Sequence, residues 1–439
     1  MGLRFTDGVT TVDLGASPWL GVTYAPTAGA FDEPRVTESA VAVLEGSATA
    51  IRAAVNALDA LLHAAWRRQK RTNARVFVEF RPLDSDSYFR AEVFDGTVNW
   101  SSNPARRRLT GTTNTVEVAV SFTRVNGWDG AEVELQLSTS NQAAATGGRS
   151  IVNHDDGGTG HDNWVQIASS QVAGDLPGPC RVQLTNTVGA NRTYPKMVLA
   201  LNALSDPSAF VHVLEAESRL SGGTVASDAT ASNGQVVSLA HVGSSSTTLV
   251  WSLSSAQMQR SRGRLFRLLS RIVGVSGSWT VLPEVRAANG TSVLWRGDLV
   301  TLPSQYGGLI DLGAVGLPPG GYSASYGGVT LALTFTGLGL AEVDFVQLTA
   351  LDGYRALKML GPCGNNEAVV DDAAEEMAYV LSGSSVLPYV SAVGKPLLLW
   401  PGLTQRLIVL AETGGSPDPM TIDDSWTVRV WHRPRRLTL

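Results

Sequence analysis

A chain of 439 residues is longer than one ordinary hydrophobic core requires, so about two to four domains are expected. Hydrophobic residues at 44%, with 45 glycines and 20 prolines, exclude a disordered or collagen-like chain and describe a turn-rich globular protein. A net charge of −5 gives no global attraction to nucleic acid, and no run of about 18 apolar residues offers a membrane span.

Residues 3 to 14 alternate around Gly8, as two short strands joined by a turn would. The segment from Val36 to Leu44 alternates next. Residues 47 to 71 then break the pattern: Ile51, Val55, Leu58, Leu62 and Trp66 recur at helical spacing and draw one apolar stripe. Ser47 supplies an N-cap, and Arg67, Arg68, Lys70 and Arg71 gather where the helix dipole favours cations. Val76, Val78 and Phe80 resume the strand period, and Pro82 stops it. Residues 88 to 100 read as a hairpin turning at Asp95-Gly96. Val116, Val118, Val120 and Phe122 alternate with polar or small residues and close the first unit near Trp128. Strands, one long helix and more strands predict an α+β barrel with a helix lying on it, over residues 1–128.

Beyond this point the chain reads as mainly β. Val133 to Leu137, Trp164 to Ala168, Val182 to Leu184, Met197 to Leu201 and Phe210 to Leu214 are strand-like but too few for a closed sandwich. Leu397 to Trp400, Leu407 to Leu410 and Thr427 to Trp431 could supply the rest, with a helical turn or two over 371–381. The expected organisation is a split β-sandwich of 129–214 plus 353–439, interrupted by a complete jelly roll over 215–352. Arg264 to Val273 fits a helix or a strand; about ten residues between Gly263 and Gly274 favour the strand.

Cys180 and Cys363 have no disulfide framework or metal-ligand spacing, which suits a reducing cytoplasm, and the first residues lack the apolar core of a secretion signal. Local basic clusters (Arg106, Arg107, Arg108; Arg260, Arg262, Arg264, Arg267, Arg271) read as solvated faces or subunit contacts, with no specific nucleic-acid binding. Walker A, Gly-x-Ser-x-Gly and His-Glu-x-x-His motifs are absent, and none of His63, His154, His161, His212, His241 and His432 has a partner at a recognisable spacing. The expectation is that the protein is not an enzyme and has no catalytic residues.

Two polar stretches carry other chemistry. Residues 153–164 (Asn-His-Asp-Asp-Gly-Gly-Thr-Gly-His-Asp-Asn-Trp) hold enough hard ligands for a metal, yet Asp-Gly-Gly-Thr-Gly is also what a tight loop demands. Glu215 and Glu217, two apart, share a strand face, and Asp344 joins them if the first and last jelly-roll strands are neighbours. Three carboxylates at one point repel unless compensated, so a structural calcium is one reading. Two solvated glutamates and a strand-end aspartate is the other. Trp251, Trp279, Trp295, Tyr306 and Tyr322 are either core or glycan-stacking aromatics.

Two resemblances follow from these residues. Residues 1–128, with Arg4-Phe5-Thr6-Asp7-Gly8, a single helix after a short strand pair, and Val116 to Arg124 leading to Trp128, resemble the N-terminal domain of distal tail proteins of long-tailed bacteriophages. Gly174 to Pro179, Gln183 to Thr187 and Trp426 to Pro434 are similar to phage tail and prophage proteins. The resemblance implies a virion tail component, made in the host cytoplasm. It would form a homohexameric ring that joins the tail tube to other tail-tip and baseplate proteins. Residues 215–352, through Glu215-Ala216-Glu217, the turn Ala231-Ser232-Asn233-Gly234 and Val343-Asp344-Phe345, resemble galactose-binding-like jelly rolls of carbohydrate-binding modules. That likeness implies calcium on Glu215, Glu217 and Asp344, and a carbohydrate-binding adhesin gripping host cell-surface glycan as the alternative function. A β-sandwich depolymerase is a third reading, which would need a carboxylate pair spanning the substrate.

Overall fold

The structure, a computed structural model, describes residues 2–30, 32–69, 75–100, 114–155, 160–204, 213–254, 265–287, 292–305, 307–318, 328–414 and 420–439. Lys70, Arg71, Arg106, Arg107, Arg108, His212, Arg260, Arg262, Arg264, Tyr306, Tyr322 and residues 156–159 lie outside them. The described chain is mainly β, with one long helix, and divides into two compact units.

The first unit comprises Met1–Val133, Ala173–Gly178 and Arg433–Leu439. Its strands are β1 (Gly2–Thr6), β2 (Thr11–Asp13), β3 (Trp19–Thr23), β4 (Arg35–Gly46), β5 (Val76–Arg81), β6 (Phe89–Trp100), β7 (Asn114–Val125) and β8 (Trp128–Asp129). They form a nearly closed antiparallel sheet in the order β2-β1-β5-β6-β7-β4-β3. Period-two alternation sets the inner face: Ala40, Ala42 and Leu44 of β4, Val76, Val78 and Phe80 of β5, and Val118, Val120 and Phe122 of β7 are buried. The longest pairing, β4 with β7, runs in unbroken register from Arg35 opposite Val125 to Gly46 opposite Asn114.

Helix α1 (Ala48–Gln69) lies on this sheet. Ser47 caps it, its Oγ accepting from the Ala50 amide at 3.2 Å. Ile51, Val55, Leu58 and Leu62 are buried as the spacing requires, but Trp66 is 49% exposed. Buried Ala65 continues the stripe instead, and Trp66, about 100° further round the helix, turns outward. Asp95-Gly96 is not a hairpin turn. Both residues lie inside β6, where the register with β7 shifts between Val93 and Asp95. Glycine is required there by the neighbouring strand and the helix together: a Cβ at position 96 would stand 2.8 Å from the Ser121 carbonyl of β7 and 2.9 Å from Leu62 Cδ2 of α1.

Under the sheet, Arg124 and Glu38 form a fully buried pair, Nη2 to Oε1 at 2.7 Å and Nε to Oε2 at 2.9 Å. The guanidinium lies 4.3 Å from the Trp128 ring centroid. The last residues return to this unit, Arg435 pairing with Asp129 (Nε–Oδ1 2.6 Å) and Pro434 O accepting from the Gly130 amide at 2.8 Å.

The second unit comprises Glu134–Val172 and Pro179–His432. Strands on both sides of residues 213–352 build two facing sheets. One includes Trp164–Ile167, Thr404–Glu412, Lys196–Leu204, Tyr354–Met359 and Val390–Gly394, and the other Arg149–Val152, Ser425–His432, Gly178–Asn186, Ala368–Asp372 and Met377–Ser382. Val182, Leu184, Leu199, Val369, Val409, Val428 and Trp426 fill the space between them. The expected helical turn over 371–381 is a strand pair. Val369-Val370 and Val380-Leu381 bring β-propensity that outweighs the central alanines and glutamates, and Asp372 Oδ1 accepts from the Ala374 and Glu375 amides, each at 3.0 Å, to tie the turn.

Within 213–352, the strands Gln235–Leu253, Leu265–Ala287 and Val329–Ala350 run the length of a single sheet that wraps a core of Trp251, Phe266, Trp279, Leu331 and Phe335. The described part of the ambiguous segment, from Leu265 to Val273, is thus strand, and it continues to Ala287. This domain and the two facing sheets are one body: Trp164, Val198, Leu269, Phe345 and Leu410 share an apolar cluster, and Asn202 Oδ1 accepts from the Ala350 amide at 2.7 Å. Among the described residues, no helix is long and apolar enough to cross a membrane.

Candidate functional site

The strand Val213–Glu215 pairs with Val329–Ala350, placing Glu215 opposite Phe345. The first and last strands of the inserted domain are therefore neighbours, and Asp344 arrives beside Glu215. Glu217 does not share a strand face with Glu215. The chain leaves the strand as a 3-10 turn, Ala216–Ser218, and Glu217 reaches the same region from that turn.

The turn after Asp228 brings Ser232 onto both remaining carboxylates. Its amide donates to Asp344 at 3.1 Å (Oδ1) and 3.2 Å (Oδ2). Its Oγ lies 2.6 Å from Glu215 Oε2 and 2.8 Å from Asp344 Oδ1. A serine hydroxyl has one proton, so it can donate to only one of two carboxylates. The other contact needs a proton on the carboxyl itself. Glu215 is the group that holds it: burial first, then the neighbouring Asp344, Glu217 and Asp155, outweigh the Ser232 bond and push it up to about 9. Glu215 then donates to Ser232, and Ser232 donates to Asp344.

Asp344 is completely buried and faces an equally buried Arg271, Nη1 to Oδ2 at 2.6 Å. The same nitrogen donates to Thr230 O at 2.7 Å, and Nη2 to Met420 O at 3.3 Å. Burial raises the Asp344 carboxyl above its ordinary range, and the guanidinium and Ser232 oppose the rise. The reading of Arg271 as part of a solvated basic cluster is corrected: it is a buried counter-ion. The signal was in the sequence, because Arg271 interrupts the apolar run Leu268-Leu269-Ser270-Arg271-Ile272-Val273. Arg267 of the same cluster pairs with Asp311 (Nε–Oδ2 2.7 Å) and lies over the Tyr354 ring.

The three predicted carboxylates thus come together, with an internal guanidinium on one of them. Glu217 Oε1 accepts from Asn233 Nδ2 at 3.1 Å, while Glu215 Oε1 and Glu217 Oε2 are buried without a hydrogen-bond partner. Two such hard oxygens suit a calcium ion chemically. Among the described residues, however, no three His, Cys, Asp or Glu side chains take up metal-holding geometry.

In the 153–164 loop, side chains pin the chain to itself. Asn153 Nδ2 donates to Ala411 O at 2.7 Å, Asp155 Oδ2 accepts from Trp164 Nε1 at 2.9 Å, and Asp162 accepts from Ser140. The His154 and His161 rings lie side by side, tilted by 42°, with centroids 4.8 Å apart. Of the tryptophans, Trp251 and Trp279 are buried and donate to the carbonyls of Glu215 (2.9 Å) and Ser276 (3.0 Å). Trp295 alone of the three presents a face to solvent, at 39% exposure, with its ring close over Gly316.

No family model matches the chain, and no curated protein matches it. Among solved structures it is similar to the C-terminal CBM6 of a laminarinase from Zobellia galactanivorans, at 14% identity and TM-score 0.22, over 31% of this chain and 97% of that one. A CBM6 module from Cellvibrio mixtus lichenase 5A, in complex with cellotriose, matches at 11% identity and TM-score 0.23 over 32% of this chain and 97% of its own. A chain of the phage P2 baseplate in its activated conformation matches at 8% identity and TM-score 0.21, over 93% of this chain and 97% of that one.

Proposed function

We propose that this protein is a structural component of a phage tail tip, assembling through its first unit into a closed, six-copy ring between tail tube and distal tip. The observation that carries this reading is the open sheet. Among the described residues, β2 pairs only with β1 and β3 only with β4, so each end of a nearly closed sheet keeps a free backbone edge. An unpaired edge is a template for another strand, and cyclic symmetry satisfies it without leaving an end. The role is assembly, with no catalysis, and the β-domains of the second unit stiffen the tip or touch the cell surface. Mass photometry and electron-microscopy class averages of the purified protein test the reading. Rings with six-fold symmetry are expected; a monomer at every accessible concentration, absent from virions, would sink it.

A second reading rests on Trp295. An indole face held open on a β-domain suits stacking on a sugar ring, and the inserted domain would then act as a carbohydrate-binding adhesin. Binding on a glycan array that disappears in Trp295→Ala supports it, and an array without signal removes it.

A further inference from the structure

Asparagine followed by glycine readily loses its side-chain amide, because a residue without a Cβ lets its backbone nitrogen reach the asparagine Cγ. The chain has three such pairs, Asn126-Gly127, Asn233-Gly234 and Asn289-Gly290. The last lies outside the described residues. The other two stand in opposite surroundings. Asn126 is 5% exposed, and its Nδ2 donates to Ala30 O at 2.8 Å and to Glu33 O at 2.9 Å. A Cβ on Gly127 would stand 2.9 Å from both Leu176 Cδ1 and Arg435 Cγ, so each member of that pair is packed in place. Asn233 and Gly234 are both exposed, in the turn that presents Ser232 to Glu215 and Asp344. Nothing lies within 4 Å of where a Gly234 Cβ would be. The Gly234 amide donates to Ala231 O at 3.1 Å, and Asn233 Nδ2 donates to Glu217 Oε1 at 3.1 Å. Both bonds start from exposed residues, and opening them is the local barrier to reaction.

We infer that Asn233 is a site of spontaneous deamidation and that its product adds a carboxylate to the Glu215, Glu217 and Asp344 cluster. The Gly234 nitrogen gives up its proton to water and attacks Asn233 Cγ. The new N–Cγ bond closes a succinimide, the Cγ–Nδ2 bond breaks, and the side-chain amide departs as ammonia with a proton returned from water. Water then opens the ring at either carbonyl, leaving aspartate or isoaspartate. In sum a water is consumed and an ammonia released, with no oxidant or reductant. The cluster makes the change consequential. Glu217 Oε1 loses its donor and meets a like charge instead, while Glu217 Oε2 is already buried without a hydrogen-bond partner. Isoaspartate also lengthens the backbone at 233, in the turn that holds the Ser232 amide on Asp344.

Deamidation here depends on neither ring formation nor glycan binding. Full-length protein incubated at mildly alkaline pH, sampled over days and mapped by tryptic mass spectrometry, tests it, since trypsin puts the three pairs in separate peptides. The same chain in urea supplies the rates without structure. In the folded protein Asn233 is expected to convert at least about tenfold faster than Asn126, whereas in urea the two should agree within a few-fold. Labelling by an isoaspartyl methyltransferase should follow the Asn233 peptide. Asn233→Asp, which imitates one product, should melt about 2–4 °C below the wild type, and in a Glu217→Gln background the same substitution should shift the melting temperature much less. An Asn233 that stays intact while the urea control deamidates, or an Asn126 that reacts as fast in the folded chain, would overturn the assignment. An unchanged melting temperature in Asn233→Asp would overturn its coupling to the cluster.

Discussion

Replacing Arg271 with methionine asks directly what neutralises Asp344. Both side chains are fully buried, and the guanidinium makes contacts to Asp344, Thr230 O and Met420 O. Methionine keeps much of the volume and removes the charge, leaving a carboxylate sealed in the domain with Ser232 alone donating to it among the described residues. Breaking one side of a buried pair costs about 3–5 kcal/mol. The two Ser232 contacts argue for the lower half of that range. At about 2–4 °C per kcal/mol for a domain of this size, the melting temperature should fall by roughly 10 °C. Calorimetry on Arg271→Met, with and without calcium, provides the reading, and Arg271→Met/Asp344→Asn should recover most of the loss because the orphan charge is gone. A drop of less than about 1 kcal/mol would show that Arg271 is not the counter-ion. If millimolar calcium stabilises the wild type strongly and chelator destabilises it, a metal shares the task, and the purely internal compensation described here fails.

Glu215 gives a pH prediction. Its folded-state pKa is raised from 4.5 to about 9, so the folded protein keeps a proton that the unfolded chain releases, and stability falls as pH rises through that interval. Relative to Glu215→Gln, the wild type should lose up to about 1.4 kcal/mol per pH unit between pH 5 and 9 in calcium-free buffer; parallel melting curves would refute this. Gly96→Val should cost about 2 kcal/mol, since its Cβ meets Leu62 and the Ser121 carbonyl, and the loss should appear as reduced helical ellipticity along with a lower melting temperature. Ser47→Ala removes the cap of α1 and should cost about 1 kcal/mol by denaturant titration.

Much of the first unit was legible because its signals are local. The buried stripe of α1, the Ser47 cap and the alternation of β5 and β7 all follow from residues within a few positions of each other. The misreadings arose where a distant element overruled a local preference. Asp95-Gly96 has turn chemistry, but the Ser121 carbonyl on β7 and Leu62 on the helix are what its glycine answers to. Residues 371–381 have helical composition, but pairing of Ala368–Asp372 with Met377–Ser382 in a sheet decides their form. Glu215 and Asp344 could be gathered from the sequence because strand neighbours follow from an insertion whose ends must meet, whereas Glu217 arrives from a 3-10 turn and not from the shared strand face that its spacing suggested. What faces them could not.

That asymmetry has one physical source, the buried arginine. Arg124 meets Glu38 across 86 positions, Arg271 meets Asp344 across 73, and Arg355 meets Asp371 across 16. Each pair joins segments whose pairing defines a sheet or the contact between two. Net stability is a poor reason for such pairs, because desolvation takes back most of their Coulomb gain. A mispaired strand, however, would bury a lone charge, at several kcal/mol. In a chain with so many similar apolar strands, that penalty separates the correct register from its neighbours. It follows that the arginines standing inside apolar runs, more than those in exposed basic clusters, are the positions where substitution should scramble the fold as well as weaken it.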